Sequence, residues 1–186
     1  DGDAHDINSE ETNGGRVNLV WNITEDLTFD MLYVHQDGDI GGASRYTAKG
    51  VTAWPDIPGF APLPGLPVCK PTENYINCDV TTSPRKDDID LWGATFTYNT
   101  SAGSFVLSGS DYQHDIDFTF DSTPILLFFG VPAVGITNQP QSYDIKMLEG
   151  RFASSFDGPF NFVAGAYYQK EEQDFEVHVT STDGNG

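Results

Sequence analysis

The segment EGRFASSFDGPFNFVAGAYY, residues 149–168, decides the fold that this sequence predicts. In its first half, Phe152 and Phe156 alternate with polar residues such as Arg151, and a period of two residues is typical of a strand with one apolar and one polar face. The Asp-Gly-Pro run at 157–159 is a turn signal, and aromatic and small apolar residues resume after it. The segment therefore predicts an antiparallel β-hairpin.

The same alternation, interrupted by turn residues, recurs along the whole chain. It predicts an all-β fold, an antiparallel up-and-down meander of about six long strands that form three hairpins in a single unit, residues 1–186. No segment of helical length carries a 3.6-residue period. The predicted strands cover residues 15–23, 27–36, 88–100, 104–120, 142–156 and 160–179, and the predicted long loops cover about 37–87 and 121–141.

The predicted connections alternate strictly between short and long. In a meander, this order places every short turn at one end of the sheet and every long loop at the other end. Transmembrane barrels have that asymmetry, and their tilted strands need about 9–11 residues to cross the bilayer. The sequence therefore predicts part of a transmembrane β-barrel, in which the face that carries Trp21, Phe96 and Phe152 contacts lipid or detergent.

Aromatic residues cluster beside the predicted short turns. Membrane barrels carry a girdle of aromatic side chains at each interface, and this clustering favours such a girdle. The alternative is that strands are rich in aromatic residues everywhere. The residues concerned are Trp21, Tyr98, Phe105, Phe156, Phe160 and Phe162.

The composition excludes several classes of protein. The net charge is -19, from 28 acidic residues against 9 Lys and Arg, so the chain should repel the phosphate backbone and nucleic acid is not an expected partner. No run approaches the roughly 18 apolar residues that a membrane helix needs. The mean hydropathy of -0.35 is that of a soluble protein, but alternating barrel strands average out to the same polarity.

Two hairpins resemble those of a known family. The segment 149–168 resembles a barrel hairpin of TonB-dependent outer-membrane receptors, in which an Asp-Gly turn leads into an Asn-Phe-Val-Ala-Gly strand that ends in Tyr-Tyr. The segment 16–27, RVNLVWNITEDL, resembles an earlier hairpin of the same barrels. The resemblance covers all six predicted strands loosely and the third hairpin most specifically.

The resemblance implies a role, a location and a set of partners. It implies a wall segment of a receptor that imports a scarce solute such as a siderophore, a cofactor or a glycan, in a Gram-negative outer membrane with the long loops extracellular. The partners would be outer-membrane lipid, the rest of the barrel with its plug domain, and the energy-coupling protein TonB. The plug, the TonB-contacting segment and the closing strand have no counterpart in these residues, so we expect a piece of a larger barrel.

Two sets of predicted loop residues are candidates for a disulfide bond and for a metal site. Cys69 and Cys78 lie close together in a Pro- and Asn-rich stretch and predict a local disulfide, with two free thiols as the alternative. The run DGDAHD places Asp1, Asp3 and Asp6 where they could bind calcium, but without the full pattern of an EF-hand loop, and solvated carboxylates are the alternative. The same two interpretations apply to Asp37 and Asp39.

Two predicted loops are unusually apolar and hold the candidate ligand-binding residues. Trp54, Phe60, Phe128 and Phe129 could contact a ligand at the mouth of the barrel, or the loops could pack on one another or on further parts of the barrel. No nucleophile elbow or phosphate-binding glycine loop occurs, and the four histidines have no metal-binding spacing. We therefore expect no enzyme activity and no cofactor, apart from the calcium hypothesis.

Two other functions fit parts of the pattern. Open strand edges would pair with other copies and could give a self-assembling β structure or a fibre, although the acidic charge would repel stacked copies. A soluble, secreted β-sandwich that binds carbohydrate would need loops that cross between two sheets, which the short–long alternation does not favour.

Overall fold

The computed structural model describes residues 8–42, 46–50 and 69–182 of the 186-residue chain. Most of these residues form one antiparallel sheet of seven strands. One short helix lies between the fourth and fifth strands, and no helix in the described ranges is long and apolar enough to cross a membrane. The elements are β1 (Glu10–Asn22), β2 (Leu27–Ile40), β3 (Arg85–Thr100), β4 (Gly103–Asp121), α1 (Thr123–Phe128), β5 (Val134–Ser154), β6 (Val163–Phe175) and β7 (His178–Thr182).

The strands β1 to β6 lie in the sheet in the order of the sequence. β7 continues the line of β6 and pairs with the first residues of β5. The prediction of an all-β, antiparallel up-and-down meander is therefore confirmed. The sheet is open: β1 and β6 are its two edges, and their residues are exposed along the full length of each strand. Backbone groups on those edges have no partner strand within the described residues, which is the condition that promotes pairing with further strands.

The strand boundaries differ from the predicted ones at the loop end of the sheet. β2 extends to Ile40 and β3 begins at Arg85, so the first long connection is shorter than residues 37–87. β5 begins at Val134, so the second connection covers only residues 122–133 and contains α1. The helix was not predicted because six residues are too few to show a helical period, and Pro124 stands in its first turn, where a missing N–H costs nothing.

The predicted sixth strand, residues 160–179, is divided in the structure. β6 begins at Val163 and ends at Phe175, and β7 resumes in the same register two residues later. Pro140 lies in β5 opposite this interruption and has no N–H to give to the ladder. The Glu176 amide still donates to the Pro140 carbonyl at 3.1 Å, so the two strands continue one another around a local break.

Within the described residues, no second layer packs on the sheet to enclose a core. Among the described residues, the buried hydrophobic side chains are only Cys78 and Leu127. The accessible surface is 12610 Å², against about 8,800 Å² expected for a compact monomer of this mass from the usual scaling. Many apolar side chains of the strands are therefore exposed among the described residues.

Candidate functional site

The paired strands place their side chains in rows that alternate between two faces. We call the face that carries Trp21, Phe96 and Phe152 face 1, and the face that carries Asn18, Thr97 and Arg151 face 2. On the central strands β3 and β4, most side chains of face 1 are exposed, whereas most side chains of face 2 are half-buried. A sheet that curves toward face 2 produces this difference, because side chains crowd together on the concave side.

The part of face 1 nearest the short turns is apolar, and we call it the apolar band. Its aromatic rings contact one another across the strands, with centroid distances of 4.7 Å for Phe29–Phe96 and 4.4 Å for Phe105–Phe152. They nevertheless face outward, since Trp21 is 57% and Phe105 49% exposed. The band comprises Val17, Leu19, Trp21, Leu27, Phe29, Met31, Tyr33, Trp92, Ala94, Phe96, Tyr98, Phe105, Leu107, Leu148, Phe152, Ala164, Ala166 and Tyr168.

Measured along β3, the apolar band is shorter than the apolar band of an outer-membrane barrel. On β3 it extends from Tyr98 to Trp92, and six residue steps of about 3.3 Å give roughly 20 Å between these two positions. Phe162 continues it past the end of β6, with its ring 5.8 Å from Phe152. An outer-membrane barrel shows an apolar band of about 25 Å.

The predicted aromatic girdle lies at the turn end of this band. Trp21, Tyr98, Phe105, Phe156 and Phe162 are each 44% to 57% exposed there, and Phe160, in the turn itself, is 85% exposed. Asn161 organises this turn, because its Oδ1 accepts the Phe156 amide at 2.7 Å.

The apolar band ends abruptly at the Tyr33–Trp92 pair, whose rings stack with centroids 4.1 Å apart. Beyond this pair, face 1 carries acidic side chains on β2 to β6. On β4 and β5 the charged residues of face 1 begin one row nearer the short turns, at Asp111 and Lys146. The boundary between apolar and charged residues therefore crosses the strands obliquely. A membrane plane crosses tilted strands in the same oblique way. The acidic side chains beyond the border are Asp37, Asp39, Asp88, Asp90, Asp115, Asp117, Asp144, Glu172 and Asp174.

Face 2 has the opposite order of polarity. Behind the apolar band most of its residues are polar or small, for example the row of Asp30, Thr95, Ser108 and Glu149, and the larger apolar residues among them include Val20, Leu32, Val106 and Met147. Behind the acidic part of face 1 it becomes apolar and aromatic. The residues of that second region are Val34, Leu91, Tyr112, Ile145, Ile89, Tyr143, Ile116, Phe118 and Phe120. At the same level of the sheet, therefore, face 1 changes from apolar to acidic and face 2 changes from mostly polar to mostly apolar.

A charged network lies on face 2 within this apolar region. The Arg85 guanidinium donates two hydrogen bonds of 2.7 Å to Asp87, and His114 Nε2 lies 2.9 Å from Asp87 Oδ1. Burial by itself would raise the pKa of the Asp87 carboxyl, but the hydrogen bonds and charges of Arg85 and His114 outweigh burial and lower this pKa. The Asp87 carboxylate is thus held ionised at the loop end of the sheet.

A second cluster joins β2 and β3 on face 1, just beyond the Tyr33–Trp92 pair. His35 Nδ1 lies 3.2 Å from Asp90 Oδ1 and 4.0 Å from Asp88 Oδ1, and His35 Nε2 lies 3.1 Å from Asp37 Oδ2. The Tyr33 hydroxyl donates to Asp90 Oδ1 at 2.7 Å. One nitrogen and two carboxylate oxygens, from His35, Asp88 and Asp90, lie within 4.8 Å of one another and could hold a metal ion.

The sequence did not reveal this cluster because its members come from two segments of the chain that are more than 50 positions apart. Only the register shows that His35 stands directly opposite Asp90 and that Asp37 stands opposite Asp88. The alternation of each strand could have placed all four on one face, but not next to one another.

The helix α1 positions the two predicted ligand-contact residues that the structure describes. It is anchored by Leu127, which is 2% exposed, and by Thr123, whose amide donates to Asp121 Oδ1 at 2.8 Å. Phe128 and Phe129, at its carboxyl end, are 66% and 73% exposed, with their rings edge to face 5.4 Å apart. Their contact with a ligand stays a prediction.

The remaining predicted residues fall in the connections and the amino-terminal segment. A disulfide joins Cys69 to Cys78, with their Cα atoms 5.8 Å apart, as predicted. Trp54 and Phe60 lie outside the described residues, and so do the calcium candidates Asp1, Asp3 and Asp6. The ligand contacts of Trp54 and Phe60 and the calcium hypothesis for the DGDAHD run stay predictions.

A comparison with protein-family models and with curated proteins found no match to this chain. The likeness to TonB-dependent receptors therefore rests on the two hairpin segments alone.

Proposed function

We propose that this chain is a wall segment of a transmembrane β-barrel in a Gram-negative outer membrane. The single observation that carries the proposal is the exposed apolar band of face 1, which lies back to back with a polar region of face 2. Such a surface is stable when hydrocarbon covers one side and water the other. In this orientation the acidic part of face 1 and the long connections lie outside the bilayer, on the extracellular side.

The open edges support a larger assembly around the described sheet. β1 offers thirteen residues to a preceding strand and β6 thirteen to a following one. Within the barrel, further strands of the wall would pair with both edges, because an unpaired backbone group is costly in lipid. Outer-membrane lipid, further strands and the plug domain are the direct partners in this proposal, and TonB acts through parts other than this sheet.

The resemblance of 149–168 and 16–27 to TonB-dependent receptors supports the finer proposal of solute import. The solute would be a siderophore, a cofactor or a glycan. Phe128 and Phe129, with Trp54 and Phe60, are the residues that we propose for its contact, and we propose no catalytic role for the chain.

The test uses the tryptophans of face 1 as lipid sensors. In the Trp54→Phe variant, Trp21 and Trp92 are the remaining tryptophans, and both belong to the apolar band. When this variant is refolded in vesicles of phosphatidylcholine with brominated acyl chains, its emission should be much weaker than in unbrominated vesicles. Equal emission in the two kinds of vesicle would overturn the proposal.

A matched control moves one indole to the other face. Adding Val20→Trp and Trp21→Phe transfers the indole of β1 by one residue from face 1 to face 2. Both proteins of this comparison also carry Trp54→Phe and Trp92→Phe. Brominated lipid should quench the emission of the indole at position 21 and leave that of the indole at position 20 nearly unaffected.

A second candidate function is self-assembly through the open edges, and the full exposure of β1 and β6 favours it. It predicts large species in detergent-free buffer at all concentrations, whereas discrete monomers would exclude it. The carbohydrate-binding sandwich gains no support, since the described residues form a single sheet without a facing layer.

A further inference from the structure

We infer that His35, Asp88 and Asp90 form a binding site for a divalent transition-metal ion such as Zn²⁺. The site lies on face 1 at the border between the apolar band and the acidic part of the sheet. The inference depends only on β2 and β3, and it holds whether or not the chain lies in a membrane.

The distances between the donor atoms are close to those of a tetrahedral metal site. Ligand bonds of about 2.1 Å at tetrahedral angles put the ligand atoms about 3.4 Å apart. His35 Nδ1 is 3.2 Å from Asp90 Oδ1 and 4.0 Å from Asp88 Oδ1. A small rotation of the Asp88 carboxylate therefore completes a three-ligand site, and a water or an external ligand can take the fourth position.

The hydrogen bonds around these three residues prepare them for a metal. Asp37 Oδ2 lies 3.1 Å from His35 Nε2, so it can accept a hydrogen bond from that nitrogen when the lone pair of Nδ1 is donated to a metal ion held by Asp90 and Asp88. Carboxylates that hold the second nitrogen of a metal-bound histidine in this way are usual in zinc sites. Asp37 thus acts as a positioning residue for the imidazole.

The Tyr33 hydroxyl fixes the orientation of a second ligand. It donates to Asp90 Oδ1 at 2.7 Å, and its ring is held by the stacking contact with Trp92. Both contacts lie on the rigid ladder between β2 and β3, where Tyr33 is paired with Trp92 and His35 with Asp90. The carboxylate therefore reaches the site from a position that the sheet sets.

The cluster of His35, Asp37, Asp88 and Asp90 carries an excess of negative charge. Asp37, Asp88 and Asp90 surround a single imidazole, and Lys86, two residues from Asp88 on β3, pairs with Asp39 at 3.6 Å. A divalent ion would offset the repulsion among the three carboxylates. The imidazole favours Zn²⁺ over Ca²⁺, which prefers oxygen ligands alone.

The experiment is a calorimetric titration of the full chain, freed of metal with a chelator, with ZnCl₂ at pH 7.5. We expect one high-affinity site in the wild type. His35→Ala should weaken that site about tenfold or more, as loss of a metal ligand or its support does. The control is His178→Ala, which removes another exposed histidine that pairs with a single carboxylate, Glu176, and should leave the site intact.

Two further variants keep the test decisive if His35→Ala fails to fold. Asp90→Asn preserves the shape of the side chain and should also weaken the site about tenfold or more, and Tyr33→Phe should weaken it by about 10- to 100-fold. Circular dichroism of each variant confirms that the sheet is retained. Wild-type Zn²⁺ affinity in a folded His35→Ala or Asp90→Asn variant would overturn the inference, as would equal losses in His35→Ala and His178→Ala.

Discussion

The effect of Leu107→Arg on stability should show whether the apolar band of the sheet faces lipid or water. Leu107 is 50% exposed in the middle row of the apolar band on β4, where it stands between Phe96 and Gly150 of the neighbouring strands. If the band faces hydrocarbon, an arginine at this depth has to leave water or draw water into the bilayer. If the band faces water, the guanidinium remains solvated and the change should be nearly neutral.

The two situations give very different free energies. Arginine near the midplane on the lipid face of a barrel costs about 2–4 kcal/mol. An exposed surface substitution in water is usually within about 0.5 kcal/mol of neutral. Ser108→Arg is the matched control, because Ser108 is the next residue of β4, faces the polar side and stands opposite Glu149. There the new charge meets water and a carboxylate.

The assay is reversible unfolding by urea in phosphatidylcholine vesicles, followed by tryptophan emission, for the wild type and the two arginine variants. We expect Leu107→Arg to lose about 2–4 kcal/mol of unfolding free energy and Ser108→Arg to stay within about 0.5 kcal/mol. If the two variants unfold at the same urea concentration, the apolar band does not face lipid and the reasoning is refuted.

Three further measurements test the loop end of the sheet. Reducing the Cys69–Cys78 disulfide should lower the free energy of unfolding by about 2.5 kcal/mol, from the closure entropy of a short loop; identical denaturant curves with and without reductant would contradict this. Asp87→Asn should cost about 1 kcal/mol at pH 7. Because the folded pKa of Asp87 is lowered, its stabilisation is present above the ordinary aspartate pKa of about 3.9 and is lost as the pH falls through the folded value; a variant with the acid sensitivity of the wild type would disprove this role. Gly135→Ala should cost about 1–2 kcal/mol, because a Cβ there would stand 2.7 Å from a leucine methyl group of α1. Gly15→Ala, with nothing within 4 Å, is its control, and equal unfolding midpoints for the two alanine variants would contradict the clash.

Much of the fold could be predicted because alternation is a local property. A strand exposes successive side chains on opposite faces, so the period of two in 149–156 is visible without knowledge of its partner. Turn residues such as Asp157 and Gly158 mark the ends of strands in the same local way. The disulfide was also within reach of the sequence, since Cys69 and Cys78 are only nine positions apart.

The errors have equally physical causes. Residues 136–141 lie in the predicted loop 121–141 but pair with β4 in the structure, although proline rarely lies within a paired strand and Pro140 is one of them. The short helix α1 holds its place through the buried Leu127 and the hydrogen bonds of Thr123, which are tertiary contacts. Its six residues carry too little periodicity to be recognised.

By itself, the sequence determined the strand period, the antiparallel order, the positions of the turns and the pairing of the two cysteines, since each depends on residues close together in the chain. Only the tertiary structure decided that the aromatic side chains of six strands join in one band and that the faces exchange polarity at one level. It alone brought His35 to Asp90, because register across the sheet sets which distant residues become neighbours, and a shift of one residue would have moved every side chain to the other face.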